Sequence, residues 1–225
     1  MTIEFTPAGQ VEIPEIPWEP RVDLPADDTA VVVVDMQNDF VKPAGGHKGE
    51  GGSLVVPAAE TTVPFIQQLL AAARASGARV AYTQDTAFPG DPEFDIWPPH
   101  CLEGTWGWRI IDELAPHDGD PVFKKNRYDA FYDSGLDHVL TRLWDVHHLV
   151  IVGTVSNICV LHTAASAGLR WFHVVIPANA ISALTTFDQA LTLRQTSSLY
   201  NGHVVRTVEH IHFTARKPET RDNEQ

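Results

Sequence analysis

The chain has 225 residues, 44% of them apolar and 20% charged, with a formal net charge of −13. That length fits one large domain with a sizeable core, and the acidic balance excludes partners that are held through Lys and Arg on phosphate, both nucleic acid and anionic membrane surfaces. Two cysteines do not make a disulfide framework, no apolar run approaches the roughly eighteen residues of a membrane span, and MTIEFTPAGQVEIPEIP lacks the basic start and apolar run of a secretory signal; the expected compartment is the cytoplasm.

In chain order, residues 1–25 are rich in proline and acid and read as an extended N-terminal arm, apart from the sheet and suited to packing on a neighbouring subunit. Residues 26–213 alternate short apolar runs with segments of helical period. The runs are AVVVVD from Ala30, RVAYTQD from Arg79, PVFKK from Pro121, HHLVIVG from His147, FHVVIPANA from Phe172 and HVVRTVEHI from His203. Between them, VPFIQQLLAAARASG predicts a helix with Phe65, Leu69, Ala72 and Ala73 on its apolar side and Gly77 as its stop. DSGLDHVLTRLWDV predicts another, with a stripe of Leu136, Val139, Leu140 and Leu143, and TTFDQALTLRQTSSLYNG a third. Residues 214–225 are polar and read as a tail. Continuous Val and Ile runs mark strands buried on both faces, and parallel neighbours need helical crossovers. The fold expected is single-domain α/β, a three-layer, doubly wound, mostly parallel sheet with helices on both faces. One segment breaks the alternation: TAFPGDPEFDIWPPHCLEGTWGW, Thr86 to Trp108, is long and rich in Pro, Gly and Trp, as functional loops are.

In open α/β sheets ligands bind beyond the carboxyl ends of the strands. The first run ends in Asp35, the second in Asp85 and the third in Lys124 and Lys125, and the fourth leads through Gly153 to Cys159. Each residue has an ordinary reading: Asp35 and Asp85 as turn formers, a lysine as a solvated strand end, Cys159 as small apolar filler. Together they offer what hydrolysis through a thiol requires. Asp35 can take the thiol proton and return it to a leaving amine, while an ammonium and a helix N-terminus are expected to lower the thiol pKa. GTVSN supplies small residues where backbone N–H groups can receive a developing oxyanion.

The blocks VVVVDMQNDF, KNRYDAF and GTVSNICVLHTA, in that order, resemble the isochorismatase-like cysteine hydrolases, a superfamily that includes nicotinamidases, N-carbamoylsarcosine amidohydrolase and ureidoacrylate amidohydrolases. The resemblance runs from about Thr29 to the final strand. It implies a catalytic triad of Asp35 as base, Lys125 and Cys159 as nucleophile. Lys125 is chosen over Lys124 by its place two residues before Arg127-Tyr128 and six before Phe131. The resemblance further implies a cis peptide before Val155 and an oxyanion hole from the N–H groups of Val155 and Cys159.

WPPHC followed by EGTWG looks like the nicotinamidase signature, which gives Phe40 and Trp97 to substrate binding, against a ring, and His100 to a divalent metal, zinc or manganese. The family's metal motif begins Asp-x-His. Here it reads Asp85-Thr86-Ala87, so the set implied is Asp85, Glu93 and His100, with no cofactor required by the triad itself. The activity implied is a cysteine-dependent amidohydrolase that cleaves a small amide through a thioester and releases ammonia or an amine. RYDAF and IIDELAP look equally like the metal-free ureidoacrylate, N-carbamoyl and isochorismatase-like branches, and the thiol points to amide rather than vinyl ether cleavage. Partners implied are a small-molecule amide and further copies of the chain, as a homo-oligomer (dimer or tetramer). Two other readings stand beside this one: an aspartyl phosphatase opening on Asp35, against which Gln37 replaces a second Asp, and a binding protein that keeps the fold without turnover.

Overall fold

The computed structural model describes residues 14–43 and 51–214. The Val-rich run that follows Pro25 forms strand β2 (Thr29–Val34), buried along its whole length. Around it assemble β3 (Arg79–Asp85), β4 (Val122–Lys125), β5 (His148–Thr154), β6 (His173–Pro177) and β8 (His203–Val205), in the spatial order β4-β3-β2-β5-β6-β8, with the short β7 (Ile181–Ser182) on β5. All of these pairings are parallel. Because successive side chains on a strand face opposite ways, Val31 and Val33 of β2 and Val150 and Val152 of β5 enter one core, while Ala30, Val32, Leu149 and Ile151 enter the other. After the short α1 (Asn38–Val41), helix α2 (Ala59–Ser76) covers the first with Ile66, Leu69, Leu70 and Ala73. The second is covered by α3 (Leu136–His138), which continues as a π-helical stretch Val139–Leu143, by α4 (Leu161–Leu169) and by α5 (Thr186–Leu199). This is the three-layer, doubly wound parallel sheet of one domain, with helices on both faces.

Three local expectations change. In α2, Phe65 and Ala72 face solvent, and the buried side is Thr62, Val63, Ile66, Leu69, Leu70 and Ala73. The helix begins four residues earlier than its clearest apolar stretch, and Phe65 falls off the stripe. In the third crossover Leu136 and Leu140 are buried but Leu143 is 65% exposed, because the wider π turns rotate it away from the face that a 3.6-residue period assigns to it. The run from His203 is also two elements. After β8 the chain makes a short turn at Val208–His210 and forms β9 (Ile211–Thr214). That strand pairs in parallel with β1 (Val22–Pro25) from the arm, as a two-stranded sheet separate from the central one. Residues 1–13 of the arm and 215–225 of the tail lie outside the described residues. Among the described residues no helix is long and apolar enough to cross a membrane.

Candidate active site

The carboxyl ends of β2, β3, β4 and β5 meet on one edge of the sheet. Asp35 follows β2 directly, in a left-handed backbone conformation (φ 49°). β3 ends in Asp85 and β4 in Lys125. β5 runs through Gly153 into a cis peptide between Thr154 and Val155, and a π-helical turn, Ser156–Val160, then carries Cys159 into α4. Gly153 is required there: it sits beside Val34 with φ 115°, and a Cβ on it would lie 2.1 Å from the Val34 carbonyl oxygen.

Lys125 is the hub. Its Nζ stands 2.7 Å from Asp35 Oδ2, 3.3 Å from Asp85 Oδ1 and 3.5 Å from Cys159 Sγ, and it donates to the Arg127 carbonyl at 3.0 Å. The side chains of Lys125 and Asp35 are fully buried. The structure therefore brings together the three residues expected to form the triad, with Asp85 as a fourth. Lys124 points elsewhere, to Glu103 at 2.5 Å and over the Trp108 ring.

Burial opposes the charge on Lys125, but the two carboxylates outweigh it and hold its pKa well above the usual lysine range. Asp35 is pushed up by burial, with Asp85 adding to the rise and Lys125 and Thr83 opposing it. Asp85 is also penalised by burial, yet Lys125 and His100 bring it below the usual range. The thiol does not follow the sequence expectation. Burial raises the Cys159 pKa well above its ordinary value despite Lys125, and Asp35 and Asp85 add to the rise. A thiolate is a large anion losing its hydration in a pocket that already holds two carboxylates, and one ammonium does not compensate for that. Burial thus favours the protonated thiol at Cys159, beside Asp35. Asp35 Oδ1 accepts from Thr83 at 2.6 Å, and Oδ2 is paired with the Lys125 ammonium at 2.7 Å.

Above this floor lies a narrow cleft. Its walls include Phe40, Leu54, Glu93, Trp97, Tyr128, Val155 and Leu184, with Cys159, Asp85 and His100 also on its surface. Phe40 and Trp97, the expected substrate-binding pair, both line it, as do Val155 and Cys159, the expected oxyanion donors. The Trp97 indole N–H donates to the Tyr128 hydroxyl at 3.1 Å.

The metal expectation does not fit these residues. His100 Nε2 faces Asp85 Oδ2 at 3.4 Å, its Nδ1 is engaged by the Pro98 carbonyl at 2.8 Å, and Asp85 Oδ1 is engaged by Lys125. Among the described residues no cluster of three or more His, Cys, Asp or Glu side chains is arranged to hold an ion. Ala87 leaves a position without a donor where the motif wants an imidazole, so Asp85, Glu93 and His100 do not close into a ligand set.

Several residues that position the site were not singled out from sequence. Thr83, two residues before Asp85, orients Asp35. Gln37 donates to the Asp85 carbonyl at 2.8 Å and accepts from its N–H at 2.7 Å, fixing β3 against β2. Asp39 accepts from the backbone N–H groups of Cys101 at 2.7 Å and Ser53 at 3.0 Å, so one buried carboxylate ties the long loop to the segment before α2. The signal for Gln37 and Asp39 was polarity inside VVVVDMQNDF directly after a buried strand; Thr83 carried none, since threonine is common in strands.

The chain belongs to the isochorismatase family of hydrolases: the family's isochorismatase domain model matches residues 29–209. Among its relatives, the ureidoacrylate amidohydrolase RutB of Rhizobium rhizogenes is 34% identical over 184 residues, which is 72% of this chain and 74% of that protein. Among solved structures, the N-carbamoylsarcosine amidase of Thermoplasma acidophilum is 33% identical with a TM-score of 0.69, over 80% of this chain and 96% of that one. The nicotinamidase of Bacillus subtilis is 26% identical with a TM-score of 0.70, over 79% and 99%.

Proposed function

We propose that this hydrolase cleaves carbon–nitrogen bonds of small linear amides or ureides through a covalent thioester on Cys159. The observation that carries the reading is the buried hub in which one ammonium stands 2.7 Å from the Asp35 carboxylate and 3.5 Å from the Cys159 sulfur. Asp35 takes the thiol proton as sulfur attacks the amide carbonyl. The N–H groups of Val155 and Cys159 receive the oxyanion, an arrangement whose donors are typically worth about 3 kcal/mol each. The tetrahedral intermediate collapses with transfer of that proton from Asp35 to the leaving nitrogen, and ammonia or an amine departs. Water, giving a proton to Asp35, then attacks the thioester; the acid forms, and the proton returns to the sulfur. Lys125 stays charged throughout and holds the negative charge on Asp35 and on the developing thiolate.

The amidohydrolase names of the relatives support amide cleavage. A nicotinamide-like ring is the second reading, favoured by Phe40 and Trp97 on the cleft walls. The test is ammonia release over nicotinamide, pyrazinamide, ureidoacrylate and N-carbamoyl compounds, with and without chelator. Cys159→Ala is expected to lower turnover of any substrate found by at least about 10³-fold; full activity in that variant ends the reading.

A further inference from the structure

The cleft has a charge pattern that the chemistry of its floor does not need. Glu93 stands on its wall, its side chain only 13% exposed, and Asp85 lies deeper on the same surface. Among the described residues, the basic groups under the cleft and on its surface are few and already engaged. Lys125 is held by Asp35, Asp85 and the Arg127 carbonyl, and His100 by Asp85 and the Pro98 carbonyl. The guanidinium nearest to Glu93 is that of Arg127, at 3.9 Å. Its Nη1 is held by the Asp91 carboxylate at 3.3 and 3.4 Å and by Asn126 Oδ1 at 2.6 Å. A substrate carboxylate is bound best through a free, forked guanidinium, and no described arginine or lysine lines the cleft.

The rest of the wall repeats the bias. Tyr128 receives the Trp97 N–H, and the electron-rich faces of Phe40, Trp97 and Tyr128 surround the space beside Glu93. Aromatic faces with a carboxylate among them attract hydrogen-bond donors and cations, and disfavour anions. Removing an anion from water to place it there would meet like charge in a poorly hydrated cleft, where charge repulsion is weakly screened.

We infer that Glu93 is a specificity-determining residue: it accepts a hydrogen bond from a donor group, cationic or neutral, on the non-reacting end of the substrate, and it rejects amides whose far end is a carboxylate. This rests on the hydrolytic reading of the same cleft. It also separates the chain from what the name of its ureidoacrylate relatives suggests, since ureidoacrylate carries a carboxylate at that end. A glutamate that failed to close a metal set acquires a different use here, as the polar end of an otherwise apolar and aromatic wall.

Four ureides with one reacting head and one two-carbon spacer test it: (2-aminoethyl)urea, (2-hydroxyethyl)urea, propylurea and 3-ureidopropanoate. Two readouts are taken for each, kcat/KM from ammonia release and the concentration that protects Cys159 from alkylation by iodoacetamide. In the unmodified enzyme the aminoethyl or hydroxyethyl compound is expected to exceed the carboxylate at least tenfold in both, and the ranking of those two tells a cationic from a neutral donor. Glu93→Gln, which keeps shape and removes charge, is expected to shrink the preference over the carboxylate at least tenfold, mainly through KM. A carboxylate that binds as well as the donors, or a ratio unmoved by Glu93→Gln, overturns the inference. Loss of the hydrolytic reading looks different: no ammonia from any of the four, with the protection ranking still deciding what Glu93 selects. Protection by none of them overturns the inference as well.

Discussion

In the proposed mechanism Asp35 acts as a base while it sits fully buried beside another carboxylate, and its neighbours set the pH at which it can do so. Burial raises its pKa, and the Thr83 hydroxyl is among the groups that restrain the rise. The form able to accept the thiol proton is the carboxylate, so activity should fall on acidification through a pKa above the ordinary aspartate value of about 3.9. Thr83→Val removes a donor to the anion and should move that acid limb of kcat/KM to higher pH, whereas a role limited to packing would lower activity without moving the limb. Lys125, held well above its usual range, should contribute no alkaline limb near neutrality. The two thiols differ in access, not in the direction of their pKa shifts. Both are buried, but only Cys159 opens on the cleft, so iodoacetamide should modify Cys159 and leave Cys101 unmodified in the folded protein, as peptide mapping would read.

The elements that hold these residues are joined by single polar contacts whose loss should be measurable. Asp39→Ala strands the buried N–H of Cys101 and the N–H of Ser53 and is expected to cost about 1–3 kcal/mol in urea unfolding. Gly153→Ala drives a Cβ into the Val34 carbonyl at a positive φ and should destabilise by more than about 1 kcal/mol. His100 joins the long loop to the end of β3. Burial opposes its charge, but Asp85 outweighs it and the net shift is upward. A raised histidine pKa contributes stability that is complete below the unfolded value of about 6.5 and is lost as pH rises through the folded value. The lowered Asp85 contributes above about pH 4 and is lost on acidification. The difference in Tm between the unmodified protein and His100→Gln should therefore be larger near about pH 6 than near about pH 8.5. Strands, sheet type and the convergence of Asp35, Asp85, Lys125 and Cys159 were legible because buried parallel strands write themselves as apolar runs, and chemistry collects at their carboxyl ends. The exposed Phe65 and Leu143 were not, since a helix start and a π turn shift the register that periodicity assumes. The raised thiol pKa was not legible either. It depends on how completely four groups are buried together, which no spacing encodes.

At the scale of the whole chain, the β1–β9 pair adds its apolar side to the core that α2 covers. Leu24 of β1 is 2% exposed and Ile211 of β9 is 6% exposed, both within the core that α2 covers. Leu24→Ala should cost about 2–5 kcal/mol, as truncation of a buried leucine does, and a lowered urea midpoint with an unchanged m-value would record it. Val22 faces Ile211 in that pair, so the first described strand finds its hydrogen-bonding partner only in the last. During synthesis on the ribosome β1 emerges early and must wait, its apolar side uncovered, until nearly the whole domain has been made. The central sheet can assemble in the meantime, because β2 finds β3 and β5 upstream of that point. The β1–β9 pairing should then form late in folding, and a ribosome stalled before Ile211 should carry a nascent chain with the carboxyl edge of the central strands formed and β1 unprotected.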